Sequence, residues 1–235
     1  MKFRVLVCCL LVWGSLPGWA MPGIGALGLS GARSFCAFNP SLDRSETAAE
    51  SPSFQEKKGD KKADAEQLAR ALDYFSSEKF HECLILLQPL NRRYKLNPRY
   101  RAYLAVCLYY EWEYAEAIRL FDEVLPQLQG LAPHELSLYY WMDAESNFAL
   151  QQYARALPLY EKMLPLCRDN EKPDAYYRMG FCHLFAAESS GSSAEERKKA
   201  KECFELSLQG YLKYRNTPNE KARIAQIRHM IGGLK

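Results

Sequence analysis

EYAEAIRLFDEVLP, residues Glu113 to Pro126, reads as the second half of a helical hairpin: aromatic Tyr114 is followed three places later by small Ala117, and four places after that by bulky Phe121. Those steps put the three side chains on one face of a helix. The pattern recurs. KFHECLILLQPL starts at Lys79 and QYARALPLYEKML at Gln152, so the leading aromatics Phe80, Tyr114 and Tyr153 are spaced by 34 and then 39 residues. A fourth copy, AKECFELSL from Ala200, lacks the aromatic but keeps the small residue and then Phe204. Self-similarity at this period is the mark of a repeat architecture.

Each copy follows another helical pattern: LARALDYF from Leu68, AYLAVCLYY from Ala102, YWMDAESNF from Tyr140 and YYRMGFCHLF from Tyr176. A small residue falls at an equivalent place in each, Ala71, Ala105, Ala144 and Gly180, and the second helices carry Cys83, Ala117, Ala156 and Ala200. In the first three copies the two small residues are 12 positions apart: 83 − 71, 117 − 105 and 156 − 144. Small facing small lets two antiparallel helices approach closely, with Leu87, Phe121, Tyr160 and Phe204 filling the space beside the contact.

With these residues in view, the chain resembles the tetratricopeptide repeat family, whose helix pairs carry small residues at both contacts and bulky ones around them. The resemblance spans residues 64 to 215. It implies an all-α, right-handed superhelical solenoid of antiparallel helix pairs: about four degenerate repeats, then a C-terminal capping helix over Asn219 to Ile231. In that last segment Ile224, Ile227, Met230 and Ile231 form one apolar stripe, suited to covering the open end of an array; a membrane surface is the other use for such a helix. The departures also carry expectations. Arg70 and Asp143 stand where the family prefers Leu, and should weaken their units. Pro89 and Pro158 fall inside second helices and should kink or shorten them. ESSGSSAEERKK from Glu188 reads as a longer turn.

Ahead of the repeats the composition changes. Lys2 and Arg4 precede the apolar run Val5 to Trp13, with Gly14, Pro17 and Gly18 after it, the order of a secretory signal peptide. We place cleavage after Ala20; Pro17 and Pro22 interrupt the run that an uncleaved membrane anchor needs. Residues 21–63 read as a flexible linker rich in Ser, Glu and Lys, and 64–235 as the repeat domain. Gly23-Ile-Gly-Ala-Leu-Gly28 matches a dinucleotide-binding pattern letter by letter, but no strand feeds it, so no nucleotide is assigned. Of 31 basic residues, removal of Lys2 and Arg4 leaves 29 against 28 acidic; bulk charge gives nucleic acid no support.

Function in such an array is expected on the wall of first helices. A stripe at four-then-three spacing presents Leu68, Leu72 and Phe75; Ala102, Val106 and Tyr109; Trp141, Glu145 and Phe148; Tyr177, Phe181 and Leu184. The wall is mostly apolar and aromatic. Tetratricopeptide domains that hold acidic chaperone tails use Lys, Arg and Asn there, and here only Arg99 and Arg178 lie nearby, so a carboxylate clamp is disfavoured. Phe75, Tyr109, Tyr110, Trp141, Phe148, Tyr177 and Phe181 are the candidate groove for an apolar peptide or helix; the same stripe serves equally as packing between helices. The partner is a protein or peptide, and membrane contact is open only to an uncleaved leader or the C-terminal helix.

Catalysis finds little support. His81, His134, His183 and His229 show no zinc-type spacing, and no H-E-x-x-H, G-x-S-x-G or phosphate-binding loop occurs. No enzyme activity, metal or cofactor is expected. Six cysteines follow the leader, namely Cys36, Cys83, Cys107, Cys167, Cys182 and Cys203, with no C-x-x-C pair. Core-like places suggest buried thiols; Cys182 with Cys203 is the first pair to test for a bridge. The reading is an exported, periplasmic or secreted, binding module or scaffold, with a membrane-anchored envelope assembly factor as the alternative.

Overall fold

The computed structural model describes residues 61–128, 130–189 and 193–234. The leader, its cleavage site, most of the linker, the Gly23 to Gly28 stretch and Cys36 lie outside them. The described chain is all helix: α1 Lys61–Ser76, α2 Phe80–Tyr94, α3 Pro98–Tyr110, α4 Tyr114–Val124, α5 Pro133–Ala149, α6 Tyr153–Met163, α7 Lys172–Ser189, α8 Ser193–Tyr214 and α9 Lys221–Gly233. Four hairpins, α1 with α2, α3 with α4, α5 with α6 and α7 with α8, each pack against the next, and α9 packs on α8. The array of helix pairs expected from the repeats is present. Starts are sharp where the chemistry favours them. Asn97 accepts a hydrogen bond from the Tyr100 amide at 3.0 Å, and Pro98 or Pro133 opens the following helix with its φ already helical.

The small residues of the hairpins lie in the interior, as their spacing predicted. Ala71, Cys83, Ala105, Ala117, Ala144, Ala156 and Ala200 are fully buried, and so are Leu87, Phe121, Tyr160 and Phe204 beside them. At the fourth hairpin a methyl group on Gly180 would sit 2.7 Å from the Phe204 ring. Only glycine fits there.

A feature that the sequence did not announce is the turn. Glu78, Trp112 and Gln151, each two places before a leading aromatic, take φ of 57°, 64° and 60°. In every case the next amide reaches back five residues: Lys79 to the Tyr74 carbonyl at 2.9 Å, Glu113 to Leu108 at 2.9 Å and Gln152 to Asn147 at 2.8 Å. This is the six-to-one closure of a left-handed helix cap, built three times without its usual glycine. A side chain in that region costs roughly 1–2 kcal/mol, partly offset by the greater freedom glycine has when unfolded. Gln151→Gly is therefore expected to stabilise by about 0.5–1 kcal/mol, read as a melting temperature raised by about 1–4 °C; a lower one would contradict the strained-turn account.

Three expectations need correction. Pro89 and Pro158 do not shorten their helices: α2 continues to Tyr94, and α6 is 11 residues long, the same as proline-free α4. Each proline removes one amide from the ladder, while buried neighbours Leu87, Leu90 and Tyr160 hold the helix in place. The segment from Glu188 is not a long turn. α7 runs to Ser189 and α8 starts at Ser193, so the insertion lengthens the hairpin. Helix formers Ala194 to Lys199 outweigh the short Ser and Gly run, with Glu195 and Glu196 at the positive end of α8 and Lys199 bonded to both. Arg70 is exposed on α1, the first described helix, so it does not disturb its unit, whereas Asp143 is buried.

α9 behaves as a cap. Ile224 and Ile227 are buried with Tyr177, Phe204 and Tyr211, and Met230 and Ile231 pack beside them. Arg215 holds the approach to α9, bonded to Asp174 at 2.5 Å and Glu220 at 2.7 Å. The apolar stripe that suggested a membrane surface is spent on α7 and α8.

Candidate functional site

The seven stripe residues divide between core and surface. Trp141, 5% exposed, meets Tyr160 edge-on at 5.5 Å. Tyr177, 2% exposed, lies against Phe181 and Phe204, with the Arg223 guanidinium 4.4 Å over its ring. These two fill the interior and leave the candidate groove. Both stand at the first position of their stripes, where Tyr160 of α6 lies against Trp141 and Phe204 of α8 with Arg223 of α9 lies against Tyr177, and stripe counting within one helix does not register such cover.

The other five lie in two aromatic runs. In the first, Phe75 stacks on Tyr103 at 4.2 Å and meets Phe80 edge-on at 5.8 Å. Phe80 stacks on Tyr110 at 3.9 Å, and Tyr109 stands edge-on to Tyr110 at 5.2 Å. In the second, Phe148 meets Tyr153 at 5.2 Å, while Phe185 lies 4.5 Å from Tyr153 and 6.0 Å from Phe181. Tyr110 is 41% exposed; Phe75, Tyr109, Phe148 and Phe181 are half-buried. Tyr103, Phe80, Tyr153 and Phe185 were missed as wall residues. Phe80 and Tyr153 had served only to align the repeats, and that recurring aromatic was the available signal.

Between the runs sits an ion pair. Glu145 of α5 accepts a hydrogen bond from Arg178 of α7 at 2.6 Å and another from the Tyr160 hydroxyl of α6. The guanidinium lies 4.6 Å over the Phe148 ring. Burial, with the Glu145 charge adding to it, pushes the Tyr160 and Tyr109 phenols well above their ordinary range, so both stay neutral donors. Arg99, the second cation near the wall, is held by both oxygens of Glu135 at 3.1 and 2.9 Å. Both arginines that a carboxylate clamp would need are engaged by this chain's own glutamates.

The chemistry on this face is that of contact: ring faces, phenol hydroxyls and one neutralised guanidinium. His81, His134 and His183 each face a single glutamate, Glu111, Glu171 and Glu196, at 2.8, 2.9 and 2.7 Å. Among the described residues no group of three or more His, Cys, Asp or Glu is placed to hold a metal ion, and no helix is long and apolar enough to cross a membrane.

No protein-family model matches the sequence, and no curated protein matches it. Solved structures do. The crystal structure of MamA protein is 13% identical with a TM-score of 0.49, covering 74% of this chain and 90% of that one. MamA residues 41 to the end from Desulfovibrio magneticus RS-1 are 15% identical with a TM-score of 0.48, covering 73% and 92%. A double mutant of MamA RS-1 is 16% identical with a TM-score of 0.45, covering 73% and 93%. At these identities and scores the likeness carries no argument about what this chain binds or does.

Proposed function

We propose that the chain is a non-catalytic protein-interaction module, exported through its N-terminal leader, that holds an apolar peptide or amphipathic helix along the aromatic face. The observation that carries this reading is the pair of partly open ring runs, one on each side of a neutralised ion pair. Rings anchored by stacking give contact area at little cost in side-chain entropy. Glu145 with Arg178 offers no free charge to select an acidic tail, so recognition rests on apolar side chains. A helix would present these at i, i+3, i+4 and i+7.

Selection from a displayed peptide library tests it. Enriched sequences should carry apolar anchors, and Tyr110→Ala with Phe148→Ala should weaken the best binder at least tenfold, the scale of an interface hot spot of about 1.4 kcal/mol or more. Circular dichroism must show unchanged helicity. Enrichment of acidic C-termini, or equal binding by the folded double variant, would remove the groove from consideration.

A further inference from the structure

Among the described residues, the most exposed large apolar side chain sits on a hairpin turn. Trp112 is 74% exposed; Tyr110, two places before it, is 41% exposed, and Leu150, on the turn of the next hairpin, 40%. Trp112 also takes a φ of 64°. A bulky side chain in the left-handed region is a genuine outlier, and in water it gains no burial to offset that cost. Stability does not account for it, and strain of this kind gathers where ligands are held. The charges beside it run the same way. Glu111 ends α3, and Glu78, which holds the place of Trp112 in the first hairpin, follows α1. Both carboxylates stand at the negative end of a helix, where its dipole disfavours them. Glu82 and Glu116 lie in the first turns of α2 and α4, and Glu113 directly precedes α4. The cations nearby have partners of their own: Lys79 lies 5.8 Å over the Tyr74 ring, His81 is bonded to Glu111 at 2.8 Å, and Arg119 to Glu116 at 2.7 Å. Glu78, Glu82 and Glu113 form no ion pair with a described residue.

We infer that this turn edge docks a basic protein segment, which lays an arginine or lysine side chain on the Trp112 ring while its other cations meet Glu78, Glu111 and Glu113. The indole face is the best aromatic partner for a cation. A guanidinium stacks on it and still directs its N–H groups to carboxylates alongside, which favours arginine over lysine. Register sets the spacing. Glu78 and Trp112 occupy equivalent places in consecutive hairpins, so the step between them is that of packed helices, on the order of 10 Å. An extended chain covers that step in about three residues, so cations at that interval reach both turns. An anionic membrane surface, the other setting that takes an exposed tryptophan, is repelled by the same carboxylates. The inference does not depend on the apolar groove, because Glu78, Glu111, Trp112 and Glu113 are not part of its stripe.

The test measures, by fluorescence anisotropy, the binding of a labelled, end-capped peptide of alternating arginine and serine to the full chain, beside a control with glutamate in place of arginine. The arginine peptide should bind with an affinity that falls as salt is raised, and the glutamate peptide should not bind. Trp112→Gly should weaken binding at least about tenfold and melt no lower than the parent, a result that separates an anchor from a structural side chain. Glu78→Gln with Glu113→Gln should weaken binding several-fold and flatten the salt dependence. Absence of binding by the arginine peptide, equal binding by Trp112→Gly, or a lower melting temperature for that variant would overturn the inference. So would Trp112-dependent capture by phospholipid vesicles, zwitterionic or anionic, in place of the peptide.

Discussion

Asp143→Asn is expected to stabilise the protein by about 4 kcal/mol at pH 8.5 and by only about 1 kcal/mol at pH 4.5. Asp143 is 1% exposed, and burial, reinforced by Asp122 on α4, pushes its carboxyl up to about 7. Arg155 and Lys162 of α6 oppose the shift without cancelling it, Arg155 being bonded to Asp122 at 2.7 Å. The folded value lies above the unfolded one. The stability this group leaves intact is therefore fully present below about pH 4 and is lost as pH rises through about 7. The hydrogen bonds give the same answer. The Asn147 amide donates to the Asp143 carboxyl at 2.9 Å, but the other Asp143 oxygen and the Asn147 side-chain oxygen are both buried acceptors with no donor. A proton on Asp143 supplies a donor at low pH, and an asparagine amide supplies one at every pH. Urea unfolding of both proteins at the two pH values decides the matter: an equal gain at each would show that charge burial is not the cause.

Arg178→Met should cost about 3–5 kcal/mol, because it leaves the Glu145 carboxylate buried with only the Tyr160 hydroxyl of its two bonded partners. The cost is one of stranding a charge. Replacing both partners, Glu145→Leu with Arg178→Met, should recover most of it, since a buried pair exchanged for apolar side chains is often neutral. A double-mutant cycle by urea unfolding measures the coupling. If the double variant is as unstable as the sum of the two single ones, the pair does not act as a unit. The cycle bears on the proposed groove as well, for Arg178 also lies over Phe148 and fixes one ring of the second run.

The architecture was legible because it rests on one short-range regularity. Small residues 12 apart define a crossing in three copies, the fourth being stretched by the insertion, and a crossing that recurs defines an array. What failed to show were contacts that join different units. Glu145 and Arg178 are 33 residues apart; nothing local couples them, and they meet only through the step from one hairpin to the next. Trp141 and Tyr177 shared the periodicity of the wall but are buried against Tyr160 and Phe204 of the second helices of their own hairpins, whereas Phe148 stays partly open. The left-handed turns were silent for a different reason. Their positions hold Glu78, Trp112 and Gln151, not the glycine that would have marked them.

Among the described α-helices the principal packing joins those that are consecutive along the chain, from α1 on α2 through to α8 on α9, with α3 on α5 the one longer step among their main contacts. Chain connectivity and spatial neighbourhood nearly coincide. A search for the native state therefore closes short loops only, each hairpin giving the next a surface to condense on. Refolding belongs to the fast, low contact-order class, on the microsecond to millisecond scale.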